Sequence, residues 1–456
     1  MIGKRALTLS VAALATAVTA SAATVPSASA ATSVTLSVFD SRGSLFATLF
    51  QKDINPGFVK AHPGVHISWT ETGGTPTVYL AAAAAGHLGC VLGENTQLAG
   101  DLIKYNLFTP VDTHVITNLN QYLPIFKKEF TNSKGQLMMV PYLGGGDMWY
   151  FRTNGGPQGA PQNLNTYSQW IKWAKSVTKY GPGGKVVYPG IGWRYGHIAQ
   201  FPTQEFMELL TAAGGQFLNN GSQFYSTKAE FASPAGLTAL KFWWDTIWKY
   251  HVAWSPDQTP YNPADPVANF VQGKEASTYL GPWLPLMLAT LGNVPGVSQV
   301  KKTWDAVYQM PHPDGYGHPV AMASVDGWGV PGSCRHKTLA WQYIKYVTSK
   351  SVLLKIYSGV NHPLARKTVM LSSGAAAVRK SDMPGAVHEA QFWTNPALIA
   401  DTIGEPDVAA NPSIFVTMNT YLEGVLNNPH ASPGVMKAAL SRAAAQVDRE
   451  LAQSGY

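Results

Sequence analysis

The chain has 456 residues, 45% of them hydrophobic and only 13% charged, which predicts a folded core and excludes a disordered or low-complexity chain. Its length allows on the order of two to three domains. The formal charge of +7 becomes +5 once Lys4 and Arg5 are removed, 31 basic against 26 acidic residues, and with no run of Lys or Arg this argues against nucleic acid as a partner.

Lys4 and Arg5 precede an apolar stretch at 6–20, followed by Ala-Ser-Ala at 20–22 and again at 28–30. This is the layout of a secretory signal peptide, so residues 1–30 are expected to be removed and the mature protein to start near Ala31, outside the cytoplasm. No later apolar run is long enough to span a bilayer. The only two cysteines are Cys90 and Cys334; in an oxidising compartment one disulfide and two buried thiols are both compatible with that count.

The alternation at 33–39 (SVTLSVF) predicts a first strand, followed by Asp40-Ser41-Arg42-Gly43, a helix ending near Lys60, and a second strand at 65–69. Strand, helix, strand is the start of an α/β unit, and in open α/β sheets ligands bind off the carboxyl ends of the strands. Asp40 and Arg42 are therefore expected at the rim of a cleft. A helix at 78–86 and a short strand at 90–92 lead to Glu94, Asn95 and Thr96, polar residues at the next strand end, where Asn95 or Thr96 would serve equally well as a helix cap. Residues 143–152 (LGGGDMWYFR) place three glycines, which allow close backbone approach, just before Asp147, Trp149 and Tyr150.

A helix starts at 165–170. The loop 192–204, carrying Trp193, Tyr195 and Gln204, precedes another helix at 205–213. The segment 234–250 reads as one amphipathic helix whose aromatics belong to the core. At 270–285 (FVQGKEASTYLGPWLP) a helix stops at Gly273, a strand follows at 276–280, and a Gly-Pro-Trp turn presents Trp283 at a strand-to-helix junction. A strand from 304, a Val-Asp-Gly-Trp-Gly-Val segment at 325–330 with Trp328, a helix at 339–348 and closing helices over 414–446 with Phe415 complete the chain.

The pattern F-x-x-G-K-x-A-x-x-x-x-G-P-W at 270–283 resembles the signature of the solute-binding proteins of bacterial ABC sugar importers, the maltose-binding type. F-x-x-x-H-P-G-V at 58–65, Leu107 to Asp112, G-Q-L-M-M-V-P-Y at 135–142 and the 325–330 segment are similar to that family's motifs in the family's order, over roughly 34–446. The resemblance implies a two-lobe periplasmic-binding-protein type II fold, a Venus flytrap of class α/β. Lobe 1 would comprise 31–142 and 325–366, and lobe 2 would comprise 143–324 and 367–456, with the ligand cleft at the hinge. It also implies a sugar or oligosaccharide ligand, an ABC permease as partner, a monomer, and neither cofactor nor metal nor covalent chemistry. In that reading Trp283 is the main stacking platform, with Trp328 and Trp149 as further ones. Asp40, Arg42, Glu94, Asn95 and Asp147 hold hydroxyls, Asp147 taking the role of an acid that the family carries nearer Gly145. Trp193, Tyr195, Gln204 and Phe415 supply second-lobe contacts. Gly89-Cys90-Val91 departs from the family's Pro-Asp-Val, and no lipid-anchoring cysteine follows the signal segment.

Aromatic faces for C–H surfaces and planar polar groups for paired hydroxyls are what a sugar site requires, and 14 tryptophans and 20 tyrosines supply them. The rival expectations are a secreted glycoside hydrolase, which needs two paired carboxylates, and a binder of a peptide, polyamine or iron chelate. No local pattern pairs Asp40, Glu94 and Asp147 as catalytic acids, and neither G-x-S-x-G nor H-E-x-x-H occurs.

Overall fold

The computed structural model describes residues 33–73, 76–152, 161, 164–195, 201–222, 226–259, 268–284, 304–307, 309–382, 389–400, 402–404, 408 and 411–454. The signal segment at 1–30, Gly196 and Pro285 lie outside them.

The larger sheet begins with β1 (Val34–Asp40), whose Leu36, Val38 and Asp40 are buried in alternation as a period of two requires. It pairs in parallel with β2 (Val65–Glu71) on one side and β3 (Val91–Asn95) on the other. Helices α1 (Ser44–Leu49) and α2 (Asn55–Ala61) make the first crossover, with a π-turn at Phe50–Ile54 between them. Helix α3 (Pro76–Ala84) makes the second crossover, and α4 (Thr96–Lys104) follows β3. Two long strands add antiparallel partners. β4 (Met139–Gly146) pairs with β10 (Ala321–Gly329), which also pairs with β3; a two-residue strand β11 (Thr402–Ile403) closes the edge, giving the order β11-β10-β3-β1-β2 with β4 on β10.

The chain leaves this sheet through Asp147 into β5 (Met148–Arg152), the centre of a second, antiparallel sheet of order β8-β5-β9, with β8 at Ser277–Leu280 and β9 at Trp304–Val307. A separate hairpin pairs β6 (Lys179–Tyr180) with β7 (Val186–Tyr188). Helix α5 (Pro124–Lys128) packs on β4 and β10 of the first sheet, while α6 (Tyr167–Val177), α7 (Phe201–Ala212), α8 (Pro234–Trp244) and two closing helices at Asn411–Leu426 and Pro433–Gln453 gather on the other side of β5.

Two hydrophobic clusters form. The first gathers β1, β3, β4 and β10, helices at Lys337–Val347 and Lys350–Val360, and Met370, Phe392 and Trp393. The second gathers α6, α7, α8 and the closing helices. β5 lies between them: Met148 and Tyr150 belong to the first cluster, Trp149 and Phe151 to the second. The 234–250 segment differs from the single expected helix. α8 widens after Trp244 into a π-turn at Asp245–Lys249, where Tyr250 N–H donates to the Asp245 carbonyl (2.8 Å) and the Thr246 carbonyl accepts from Val252 and Ala253.

Cys90 and Cys334 form a disulfide, with Cα atoms 4.8 Å apart. Because β10 runs antiparallel to β3, with Gly329 opposite Leu92, the end of one strand lies beside the start of the other and the two cysteines just beyond them meet.

Candidate functional site

The carboxyl ends of β1 and β3 lie side by side, with Asp40 in register with Gly93, and Asn95 faces Asp326 on β10. This registration brings Asp40, Arg42, Glu94, Asn95 and Asp326 to one sheet edge. Arg42 forms an ion pair with Asp40, and its Nη1 lies 4.0 Å from Asp326. Its guanidinium packs 4.6 Å from the Trp328 ring centroid and 4.7 Å from that of Tyr142, a cation–π arrangement that fixes a long side chain. Gly93 is obligatory for this packing, since a β-carbon there would overlap both Arg42 and Trp328.

The electrostatics are strongly perturbed. Burial raises Asp40 to about 6, with Arg42 pulling it back, and raises Asp326 to about 6 against the same arginine. Burial raises Glu94 to about 8, opposed by hydrogen bonding to Tyr79 and by Arg42. The Tyr142 hydroxyl and the Trp328 indole N–H are buried without a hydrogen-bond partner among the described residues. Leaving such a group unpaired costs about 1–3 kcal/mol.

A second group lies where the chain crosses to the other sheet. Asp147 follows β4, four residues from Leu143, the ladder partner of Asp326, a backbone spacing of about 13 Å for extended chain. Burial raises Asp147 to about 6, with Arg194 opposing. The Arg194 Nε donates to Glu205 Oε1 at 2.8 Å, and burial raises Glu205 to about 7. Glu208, one helical turn on, accepts from the Tyr279 hydroxyl, and its carboxyl is pushed well up by burial. Tyr279 stands on β8, which leads into Gly281-Pro282-Trp283. Trp283 is half-buried against the first cluster. A β-carbon at Gly145 would stand 3.0 Å from Pro282, so the triple-glycine segment of β4 and the tryptophan turn abut directly.

The sequence-derived residues therefore separate. Asp40, Arg42, Glu94 and Asn95 share one edge, and Asp147 and Trp283 lie at the crossing. Trp328, expected as a platform, is fully buried, with Arg42, Phe50, Trp69 and Tyr142 against it. Trp149, also expected as a platform, is buried among Trp170, Trp193 and Tyr279. Trp193 donates to Thr246 Oγ1 (2.9 Å) and Tyr195 to the Trp254 carbonyl (2.8 Å), both within the second cluster. Gln204 is buried on α7, and Phe415 packs in the same core. Asp326, Arg194, Glu205 and Glu208 were not singled out by sequence. Asp326 stands two residues before Trp328 and the pair Glu205/Glu208 occupies one face of a helix, signals that pattern reading attributes to turns and solvated faces. Among the described residues no group of three His, Cys, Asp or Glu side chains is placed to hold a metal ion.

Comparison with solved structures gives the fold. The ABC transporter solute-binding protein from Thermotoga lettingae bound with α-D-tagatose superposes with a TM-score of 0.70 at 21% identity, over 92% of this chain and 100% of that one. Maltose-bound MalE3 of T. maritima gives 0.69 at 19%, over 90% and 99%. The sugar-binding protein MalE of Xanthomonas citri gives 0.71 at 17%, over 92% and 98%. Among curated proteins no match is found. The architecture is the two-lobe fold of these extracytoplasmic receptors, and, with the family model of the bacterial extracellular solute-binding proteins matching residues 57–380, the chain belongs to that family.

Proposed function

We propose that the protein is the carbohydrate receptor of an ABC importer, capturing a sugar or oligosaccharide between its two lobes and delivering it to a membrane permease without covalent chemistry. The observation that carries this reading is the edge where Asp40, Arg42, Glu94, Asn95 and Asp326 converge beside the buried rings of Tyr142 and Trp328. Planar carboxylate, amide and guanidinium groups suit pairs of neighbouring hydroxyls. Trp283 offers the ring face, Asp147 adds an acid at the crossing, and Trp328 acts through Arg42 by holding it. The solved relatives bound to tagatose and maltose add support for a sugar.

The lobes we propose are 31–142 with 325–366, and 143–324 with 367–456. A hinge between lobes lets ligand stabilise a closed form through contacts the open form cannot make; periplasmic binding proteins are the standard instance of such closure. We place the mature protein, from about Ala31, outside the cytoplasm as a monomer. Among the described residues no helix is long and apolar enough to cross a membrane.

Tryptophan fluorescence of the mature protein, titrated with mono- and oligosaccharides, tests the reading. One sugar should saturate the signal at micromolar levels, and Trp283→Ala should lose at least tenfold in affinity. Cleavage of a glycan, or binding of a peptide or polyamine with no response to any sugar, would overturn it.

A further inference from the structure

Away from the strand ends, α6, α8 and the following π-turn enclose a surface cavity of about 570 Å³ lined by Tyr167, Lys172, Lys175, Lys241, Phe242 and Asp245 among others. Its aromatic wall is a stacked pair: the Tyr167 and Phe242 rings lie 3.7 Å apart and nearly parallel. The Tyr167 hydroxyl is buried and has no hydrogen-bond partner among the described residues. The two acids of the cavity are already engaged. Asp245 accepts from Lys241 at 2.7 and 2.9 Å, and Asp314 accepts from Ser168. Lys172 and Lys175, one turn apart on α6, have no ion pair among the described residues. With both carboxylates engaged, the cavity offers two ammonium donors beside a phenol that can donate or accept; a phosphate, which only accepts, matches the two ammonium groups well.

The surroundings extend the same character. No Asp or Glu occurs between Asp147 and Glu205, while Lys172, Lys175, Lys179 and Lys185 all fall there. Helix α6 runs directly into the β6–β7 hairpin, on which Lys179, Tyr180, Lys185 and Val187 are exposed. Lys175 and Lys249 both lie over the Tyr250 ring, and Lys179 lies over Tyr188. Exposed lysines interleaved with tyrosines and a valine, from α6 through the hairpin that follows it, are a composition that settles at an anionic lipid–water interface. We propose that this face docks the protein on an anionic phospholipid surface, with a headgroup phosphate entering the cavity between Lys172 and Lys175. Such docking, which rests on the receptor reading above, would hold the protein close to the bilayer in which its permease sits.

The test is co-sedimentation of the mature protein with vesicles of phosphatidylcholine alone and of phosphatidylcholine with about one third phosphatidylglycerol, at low salt and at about 0.5 M salt. Partition onto the anionic vesicles should exceed that onto neutral ones at least tenfold at low salt, and should fall at least tenfold in high salt and in Lys172→Glu/Lys175→Glu. Lys172→Gln/Lys175→Gln, which preserves size, should show an intermediate loss with an unchanged melting temperature, so misfolding is separated from lost charge. Titration with inorganic phosphate distinguishes the source: binding of phosphate in solution without preference for anionic vesicles overturns the membrane assignment. Equal partition onto both vesicle types, or undiminished partition of the charge-reversed protein, overturns the proposal as well.

Discussion

Arg42 is the residue on which the proposed site at the ends of β1 and β3 depends. It is nearly buried, its charge is met by Asp40 and Asp326, and its flat guanidinium is held by Trp328 and Tyr142. Without it, the carboxyls of Asp40, Glu94 and Asp326 would stand together with no countercharge. Removing one partner of a buried ion pair typically costs about 3–5 kcal/mol, because the remaining charge is left uncompensated. Arg42→Met should lose stability of that order at pH 7 and distinctly less at pH 5, where the acids, raised already and raised further by losing the arginine, are protonated and neutral. Urea unfolding at the two pH values checks this; equal losses at both would mean that Arg42 contributes through packing alone. The position of Asp40 and Arg42 at a strand end was legible in the sequence because the alternation of β1 is unambiguous. Trp149 was not, because β5 reads Met-Trp-Tyr-Phe, apolar at every position. A strand buried on both faces shows no alternation, so nothing local says whether its tryptophan faces a ligand or a core.

At the scale of elements, pattern reading recovers strands and helices wherever one face is buried and fails where distant groups reshape a turn. β1, β2, β8 and the helix at Lys337–Val347 fall within a few residues of expectation. The π-turn after α8 does not, since its widening is tied to Thr246 receiving the amides of Val252 and Ala253 from the next loop, a partnership invisible to helical periodicity. The disulfide was likewise undecidable by count; it is the antiparallel registration of β3 and β10 that brings Cys90 to Cys334. It ties the amino end of β3, whereas Glu94 and Asn95 stand at the carboxyl end. The link closes a loop of 244 residues, and removing a disulfide commonly costs about 2–5 kcal/mol. Cys90→Ser/Cys334→Ser should therefore unfold at lower denaturant by an amount in this range, yet bind ligand within about twofold of the native protein. An affinity loss parallel to the stability loss would show that the strand ends are coupled and that the bridge helps to shape the site.

For the whole molecule, the sparse charge of the chain is unevenly spent, with many of its acids inside. Burial raises Asp40, Asp326 and Asp147 to about 6, Glu205 to about 7, and Glu94 and Glu275 to about 8, whereas in the unfolded chain such groups ionise near 4. Between pH 4 and these raised values the folded protein holds protons that the unfolded chain has released. Stability therefore declines as pH rises through this window: each group contributes fully below about 4, and its contribution falls until pH passes its folded value. One such proton corresponds to about 1.4 kcal/mol per pH unit, and several groups act together between pH 5 and 7. The unliganded mature protein should thus melt at a higher temperature at pH 5 than at pH 7.5, opposite to a protein whose carboxylates are stabilised by surface ion pairs. The dependence should weaken in Glu94→Gln, which removes one of the groups raised furthest. A melting temperature that climbs from pH 5 to 7.5 would mean that water or ions reach these carboxyls and keep them charged, and the closely packed acid clusters around Arg42 and Arg194 would then be open, hydrated sites in solution.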